Sequence, residues 1–129
     1  MTRRLASVVD EEEADRSAPV PPRSWQRFSA QYPEVVAAYD TLSEVCRQAG
    51  PLDPTTVALV KLAASVGRGA SRTVHAHTKK ALRAGADPES LRQVVLVALP
   101  TIGLPAALDA LRWVDESIRE VRGSTASSS

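Results

Sequence analysis

Apolar residues recur at helical spacing along most of the chain. In residues 33–48 they fall at i, i+1, i+4, i+7, i+10 and i+11, which places them on one stripe of an α-helix. These positions are Val35, Val36, Tyr39, Leu42, Val45 and Cys46. Trp25 and Phe28, three positions apart, predict a short helix before this one. Because no segment alternates with period two, the pattern predicts an all-α fold without strands.

Start and stop signals divide the rest of the chain into further helices. Asp53-Pro54 and Asp87-Pro88 each place a capping carboxylate before a proline that suits the first helical turn. Pro105 opens the last helix. Glycine and proline predict interruptions at Gly67, Gly69, Gly85, Pro100 and Gly103. The expected architecture is a bundle of about six helices.

Both ends of the chain have the composition of disordered tails. Residues 1–22 contain a run of four acids at 10–13 and three prolines, which disfavour regular structure. Residues 123–129 (GSTASSS) are small and polar. The sequence therefore predicts a disordered N-terminal tail (1–22), one folded domain (23–122) and a disordered C-terminal tail (123–129).

Composition excludes several classes of protein. Lys and Arg total 16 against 15 for Asp and Glu, so no nucleic-acid partner is expected, because such binders carry a basic excess. Cys46 is the single cysteine, which excludes an internal disulfide framework or a CxxC pair. The sequence has no apolar run long enough for a membrane span and no signal-peptide pattern at its start. We therefore expect a cytoplasmic protein without a membrane partner.

Three of the predicted helices are apolar almost all round. A domain of about a hundred residues cannot bury that much surface within itself, because burial efficiency falls with size. The pattern thus favours a homo-oligomer with the excess apolar area at a subunit interface. The alternative is that Ala-rich faces let the helices pack closely within one chain.

One region combines bases and histidines without acids. Residues 54–86 contain no Asp or Glu, both histidines of the chain, and the basic residues Lys61, Arg68, Arg72, Lys79, Lys80 and Arg83. A local positive charge beside imidazoles suits a small anionic organic substrate. The alternative is that these residues form solvated helix faces paired with the acidic last helix, which carries Asp109, Asp115, Glu116 and Glu120.

Helix geometry separates the two histidines. His77 shares a face with small residues at spacings of three and four, namely Ala70, Thr73, Val74, Ala81 and Ala84. We expect this face to be buried or to line a cavity, whereas His75 points roughly 160° away toward a charged side. His77 is either a packed core residue or a proton-transfer group. Since positions two apart diverge on a helix, the pair is a poor metal chelate, and no metal is expected.

Several short segments occur in a characteristic order along the chain. They are Tyr32-Pro33-Glu34-Val35, Ala49-Gly50-Pro51, Leu52-Asp53-Pro54, His77 with Ala81-Leu82 and Ala84-Gly85-Ala86, and Gly103-Leu104-Pro105-Ala106-Ala107. In this order and spacing they resemble the carboxymuconolactone decarboxylase and alkylhydroperoxidase D superfamily. The resemblance covers about residues 25–114. It implies an alkylhydroperoxidase D-like helical bundle that assembles as trimers or hexamers, with active sites near subunit interfaces.

This chain lacks the residues of the peroxidase branch. Peroxidase members carry Cys-x-x-Cys-x-x-x-His with a preceding Glu, and the corresponding positions here hold Ala70, Thr73 and Ala58. A thiol peroxidase needs a nucleophilic thiolate and a resolving partner, so thiol-dependent peroxidase activity would require a thiol from another chain. The decarboxylase branch keeps only the histidine, and resemblance to it implies a small, cofactor-free site for an unsaturated lactone or keto acid.

These observations predict a cofactor-free lyase or isomerase acting on a small carboxylate or lactone. His77 is the expected acid–base group, Arg68 or Lys61 the anion-holding residue, and Thr73 a further substrate-binding residue. A buried imidazole near cations resists protonation, so the pKa of His77 should fall. The alternative function is a catalytically silent oligomeric binding or scaffold protein, in which His77 would be sealed in apolar packing.

Overall fold

The computed structural model describes residues 23–127, which form six helices. They are α1 (Arg23–Gln31), α2 (Pro33–Arg47), α3 (Pro54–Arg68), α4 (Ser71–Arg83), α5 (Pro88–Ile102) and α6 (Leu104–Ser127). No strand occurs in this range, and the predicted all-α architecture is confirmed. The predicted tail at 1–22 lies outside the described residues.

Three features differ from the positions that the sequence predicts. Helix α6 continues to Ser127, beyond residue 122, where the sequence places the end of the folded domain. Gly67 and Pro100 lie inside α3 and α5 rather than interrupting them. Helix α5 ends at Ile102, and Gly103, which has a φ of 92°, donates its N–H to the Leu99 carbonyl at 2.9 Å. Glycine weakens a helix without blocking it, and Pro100 removes a single helical hydrogen bond, the one to the carbonyl four residues before it.

Contacts divide the described residues into two compact units, 23–51 and 52–127. In the first unit, the rings of Trp25, Phe28 and Tyr32 follow one another with centroids 6.0 and 5.5 Å apart. The apolar stripe predicted for α2 is only partly buried: Val36 is completely buried, whereas Tyr39 is 62% exposed and Leu42 59%. Amphipathic spacing is therefore present in α2, but most of the large side chains of the stripe are exposed.

The second unit contains the main hydrophobic core, built from α3 to α6. Helix α4 packs against α3 and α6, and α5 packs against the same two helices. The buried apolar residues are Leu62, Val66, Val74, Ala81, Ala86, Leu91, Val95, Ala107, Ala110, Val114 and Ile118. Asp53 and Asp87 cap α3 and α5, since each carboxylate accepts a backbone N–H at 2.7 Å. The two cap-plus-proline starts are confirmed.

Helices α3 and α4 form an antiparallel hairpin. Gly69 ends α3 with a φ of 75°, a left-handed conformation that glycine adopts without steric cost. At the other end of the hairpin, the Thr55 hydroxyl near the start of α3 donates to the Ala84 carbonyl just after α4, at 2.8 Å. These two links fix the register, and the middle of α3 therefore lies opposite the middle of α4.

Candidate functional site

The α3–α4 hairpin places Lys61 beside His77. The pairing of Thr55 with Ala84 at one end, and the turn at Gly69 at the other, set residues 61 and 77 at the same level of the two helices. The Lys61 charge acts on the His77 ring, and so does that of Lys80, which follows His77 by three positions on α4. Three groups from two helices thus come together in the middle of the hairpin.

The His77 ring is half-buried, at the edge of a well-packed face. Val74 and Ala81, its neighbours on α4, are completely buried. No hydrogen bond or ion pair joins the ring to any of residues 23–127. Hydrogen bonding among the described residues therefore does not explain the position of this ring.

The surroundings of His77 hold its imidazole in the neutral form. Burial, followed by the positive charges of Lys80 and Lys61, lowers the pKa of His77 from 6.5 to about 4. The predicted fall of this pKa is therefore confirmed. At neutral pH the ring carries one N–H donor and one nitrogen lone pair, so it can accept a proton from a bound molecule.

The other two predicted site residues lie nearer the closed end of the hairpin. Thr73 is partly buried and precedes His77 by four positions, so both residues occupy one face of α4. Arg68 is exposed in the last turn of α3. Seven residues of helix separate it from Lys61, or about 10 Å along the axis. The hairpin thus brings Lys61, Thr73 and His77 together, and Arg68 lies two turns beyond Lys61 on α3.

Lys80 is the residue of this cluster that sequence reasoning did not place in the site. It was counted among the bases of residues 54–86 without a functional role. The signal that could have identified it is its spacing from His77, because positions i and i+3 on a helix are neighbours. An exposed lysine at this spacing contributes a charge next to a partly buried ring.

The charged side of α4 that the sequence predicts for His75 is present, and the ring also gains a hydrogen-bonding neighbour there. Its Nδ1 atom lies 2.8 Å from the Oγ atom of Ser117 on α6, and its Nε2 atom lies 3.9 Å from a Glu116 carboxylate oxygen. The charged groups expected on this side are present but packed: the Lys79 ammonium donates to Glu120 at 2.6 Å and its side chain is only 10% exposed. The reason is that α6 covers this side of α4.

Only part of the basic region pairs with the acidic last helix. The Lys79–Glu120 pair fits that alternative interpretation of the bases. Arg68 and Arg72, in contrast, are exposed and form no ion pair within the part of the chain that the structure describes. Charge pairing therefore accounts for Lys79 on the α6 side of α4 and does not account for Arg68 or Arg72.

Residues 23–127 lack two further features. No three His, Cys, Asp or Glu side chains in this range come together as candidate metal ligands. None of its helices combines the length and the apolar character that crossing a membrane requires.

The comparison with known families gives one match. A model described as the Carboxymuconolactone decarboxylase family matches residues 33–116, which is well over half of the chain. The matched region includes α2 to α5 and all of the residues described above around His77. No curated protein and no solved structure matches the chain.

Proposed function

The chain belongs to the carboxymuconolactone decarboxylase family, and on that premise we propose that it is a cofactor-free lyase or isomerase of a small carboxylate or lactone. His77 is the acid–base group of this proposal. Lys61 and Lys80 hold the anionic substrate beside the ring. Thr73 and Arg68 contact the part of the substrate that extends toward the closed end of the α3–α4 hairpin.

The observation that carries the proposal is the half-buried imidazole of His77, which the nearby charges of Lys80 and Lys61 help to keep neutral. A ring used only for packing would be sealed among apolar side chains or paired with a hydrogen-bonding group. His77 instead remains partly open to solvent, with cations near it and no partner among the described residues. Strongly perturbed histidines of this kind are enriched at functional sites.

The charges around His77 suit a reaction that passes through an enolate. The substrate carboxylate, or the carbonyl of a lactone, is held by the ammonium groups, which stabilise the negative charge that develops on the oxygen. In an isomerisation, the neutral His77 ring removes a proton from carbon and returns it to another carbon. In a decarboxylation, the electron pair of the broken C–C bond forms the enolate, CO₂ leaves, and protonated His77 then delivers a proton to carbon.

Substrate binding would also change the protonation of His77. An anion between Lys61 and Lys80 offsets the two charges that oppose protonation, so the pKa of His77 rises when the site is filled. Binding is therefore coupled to proton uptake near neutral pH, which prepares the ring to act as an acid.

The test is turnover of small unsaturated carboxylates and lactones, followed by NMR of substrate and product. His77→Gln should reduce turnover by about a hundredfold, the usual contribution of a general acid–base group. Arg72→Gln is the matched control, because it removes an exposed charge from the same helix away from the His77 side. Equal turnover in wild type and His77→Gln would contradict the proposal.

A second candidate function is an oligomeric binding or scaffold protein without activity, and one observation supports the assembly that it requires. Large apolar side chains are exposed on α2, α5 and α6, including Tyr39 (62%), Val97 (70%) and Leu104 (57%). We propose that further copies of the chain cover these faces in a trimer or hexamer, which fits either function. Light scattering at micromolar concentration should give a multiple of 13.8 kDa. A mass equal to that of one chain would contradict the assembly.

A further inference from the structure

The side of α4 that faces α6 has a polar seam, which we define as His75 and Lys79 of α4 with Ser117 and Glu120 of α6. The His75 ring and the Ser117 hydroxyl are 2.8 Å apart, and the Lys79–Glu120 pair lies one turn further along at 2.6 Å. Ser117 is completely buried. These two polar contacts lie on neighbouring turns. Together they fix the position of α4 along its axis and its rotation about that axis relative to α6.

We propose that the hydrogen bond between His75 and Ser117 positions His77. The two histidines are two residues apart, so their side chains leave α4 in nearly opposite directions. A contact that fixes one of them against α6 also fixes the direction in which the other points toward α3. His75 and Ser117 are therefore positioning residues for the acid–base group, and this role rests on the function proposed above.

A small rotation of α4 would be enough to alter the site. The side-chain envelope of a helix has a radius of about 5 to 6 Å, so a rotation of roughly 20° moves a ring at its surface by about 2 Å. Such a movement changes the burial of the His77 ring and its approach to Lys61. Val74 and Ala81 are the two completely buried apolar side chains of α4, so few apolar contacts oppose such a rotation.

The Ser117 hydroxyl keeps the seam hydrogen-bonded whether His75 is neutral or charged. Its Oγ atom lies 2.8 Å from His75 Nδ1 and 3.0 Å from the Trp113 carbonyl. When Nδ1 carries no proton, the hydroxyl donates to the ring. When Nδ1 is protonated, the ring donates to Oγ and the hydroxyl turns to the Trp113 carbonyl. The charged ring also gains from Glu116, which lies 3.9 Å from Nε2. Protonation of His75 therefore does not release the helix.

The test compares two substitutions that each delete one completely buried hydroxyl. Ser117→Ala removes the contact between α4 and α6. Thr78→Val removes a bond within α4, from the Thr78 hydroxyl to the Val74 carbonyl at 2.7 Å. The measured quantity is the pKa of His77, followed by NMR titration of the ring carbons. We expect a rise of about one unit in Ser117→Ala, toward the ordinary value of an exposed imidazole, and no change in Thr78→Val.

A second substitution covers the case in which Ser117→Ala does not fold. His75→Asn keeps a polar group near the Nδ1 position and should preserve the pKa of His77, whereas His75→Leu should raise it. If the pKa of His77 is the same in Ser117→Ala and His75→Leu as in wild type, the seam only stabilises the fold and the positioning role is wrong. That result would leave the proposed function standing, since the function is tested separately by turnover in His77→Gln.

Discussion

The two sides of α4 present their histidines to opposite kinds of surroundings. Toward α6, His75 lies next to the Ser117 hydroxyl and within 3.9 Å of Glu116, and the neighbouring Lys79 is neutralised by Glu120. Toward α3, His77 lies near Lys61, and Lys80 is its neighbour on α4. The His77 ring has no hydrogen-bonding partner among residues 23–127. The same side chain, two positions apart, is therefore satisfied on one side and left unpaired on the other.

This difference separates a structural use of histidine from a chemical one. A hydrogen-bonded ring between two helices stabilises their packing and has little capacity left for a ligand. A half-buried ring near two lysines resists protonation, and a perturbed histidine of this kind is typical of sites that bind a ligand or carry out a reaction. The predictions below test whether the two sides of α4 behave in these two ways, beginning with the largest expected effect.

The largest expected effect is a loss of stability in mild acid that depends on His77. Its pKa is about 4 in the folded protein against an ordinary 6.5, so between these values the unfolded chain binds a proton that the folded chain does not. The free energy of unfolding therefore falls as the pH decreases from 6.5 toward 4. The contribution is about 2 kcal/mol, after a reduction for the partial exposure of the ring.

The measurement is urea unfolding of wild type and His77→Gln between pH 7.5 and 4.5. The glutamine variant should lose about 2 kcal/mol less over this range. All other residues, His75 included, are the same in both proteins, so the difference reports on His77 alone. Stability curves that run parallel would mean that the His77 ring is protonated as easily in the folded protein as in the unfolded chain.

A smaller effect is expected from the ion pair on the other side of α4. Lys79→Met keeps the buried stem and removes the ammonium, which should lower the free energy of unfolding at pH 7 by about 1 kcal/mol. The hydrogen bond from Lys79 lowers the pKa of Glu120 below its ordinary 4.5. The stabilisation is therefore present above pH 4.5 and disappears as the pH falls through the lowered pKa of Glu120.

An exposed pair on α6 is the control for this substitution. Arg112 and Asp109 are 3.4 Å apart with side chains 61% and 58% exposed, and Arg112→Met should change stability much less than Lys79→Met. The effect of Lys79→Met should also vanish in a Glu120→Gln background. If it persists there, the ammonium of Lys79 stabilises the fold through another group.

The fold could be predicted from the sequence because its helices carry local signals. The caps at Asp53 and Asp87 and the breaks at Gly69 and Gly85 depend on neighbouring residues alone. The end of α5 could not be placed, because the effect of Pro100 depends on how near the helix terminus it lies. Oligomer formation and the extent of the two tails stay predictions.

The sequence predicts only those features of the candidate site that depend on the spacing of residues within one helix. The face shared by Thr73 and His77 follows from spacing on α4, and the direction of the pKa shift follows from burial near cations. The partner of His75 was not predictable, because Ser117 lies 42 positions away in the sequence and helix periodicity carries no information about which helix covers a given side. Lys61 was included for its charge, and the hairpin register explains why it reaches His77.

Replacing either lysine beside His77 should change the pKa of His77 by a still smaller amount. Burial contributes most to the lowered pKa of His77, followed by Lys80 and then Lys61. Lys80→Met should therefore raise this pKa by less than about one unit, and Lys61→Met by less than that. NMR titration of the His77 ring measures both shifts, and Lys79→Met is the control on the opposite side. A larger shift in Lys79→Met than in Lys80→Met would contradict the comparison of the two sides.

The last prediction is that removing the thiol of this chain has no effect. Neither side of α4 carries a thiol, because the positions that hold cysteine in related peroxidases are Ala70 and Thr73, and Cys46 is exposed on α2. A thiol peroxidase needs two thiols within reach of each other. Cys46→Ser should therefore have the same rate of hydroperoxide consumption with a dithiol as wild type, equal to the rate of the buffer.

Ala70→Cys combined with Thr73→Cys brings two thiols to positions i and i+3 near His77, and a disulfide can then be detected by thiol counting. Peroxidase activity should still be missing from this double variant, because Ala58 occupies the position of the glutamate that the peroxidase members carry. Turnover that disappears in Cys46→Ser would show that the reactive group lies on α2 and not on the His77 side of α4.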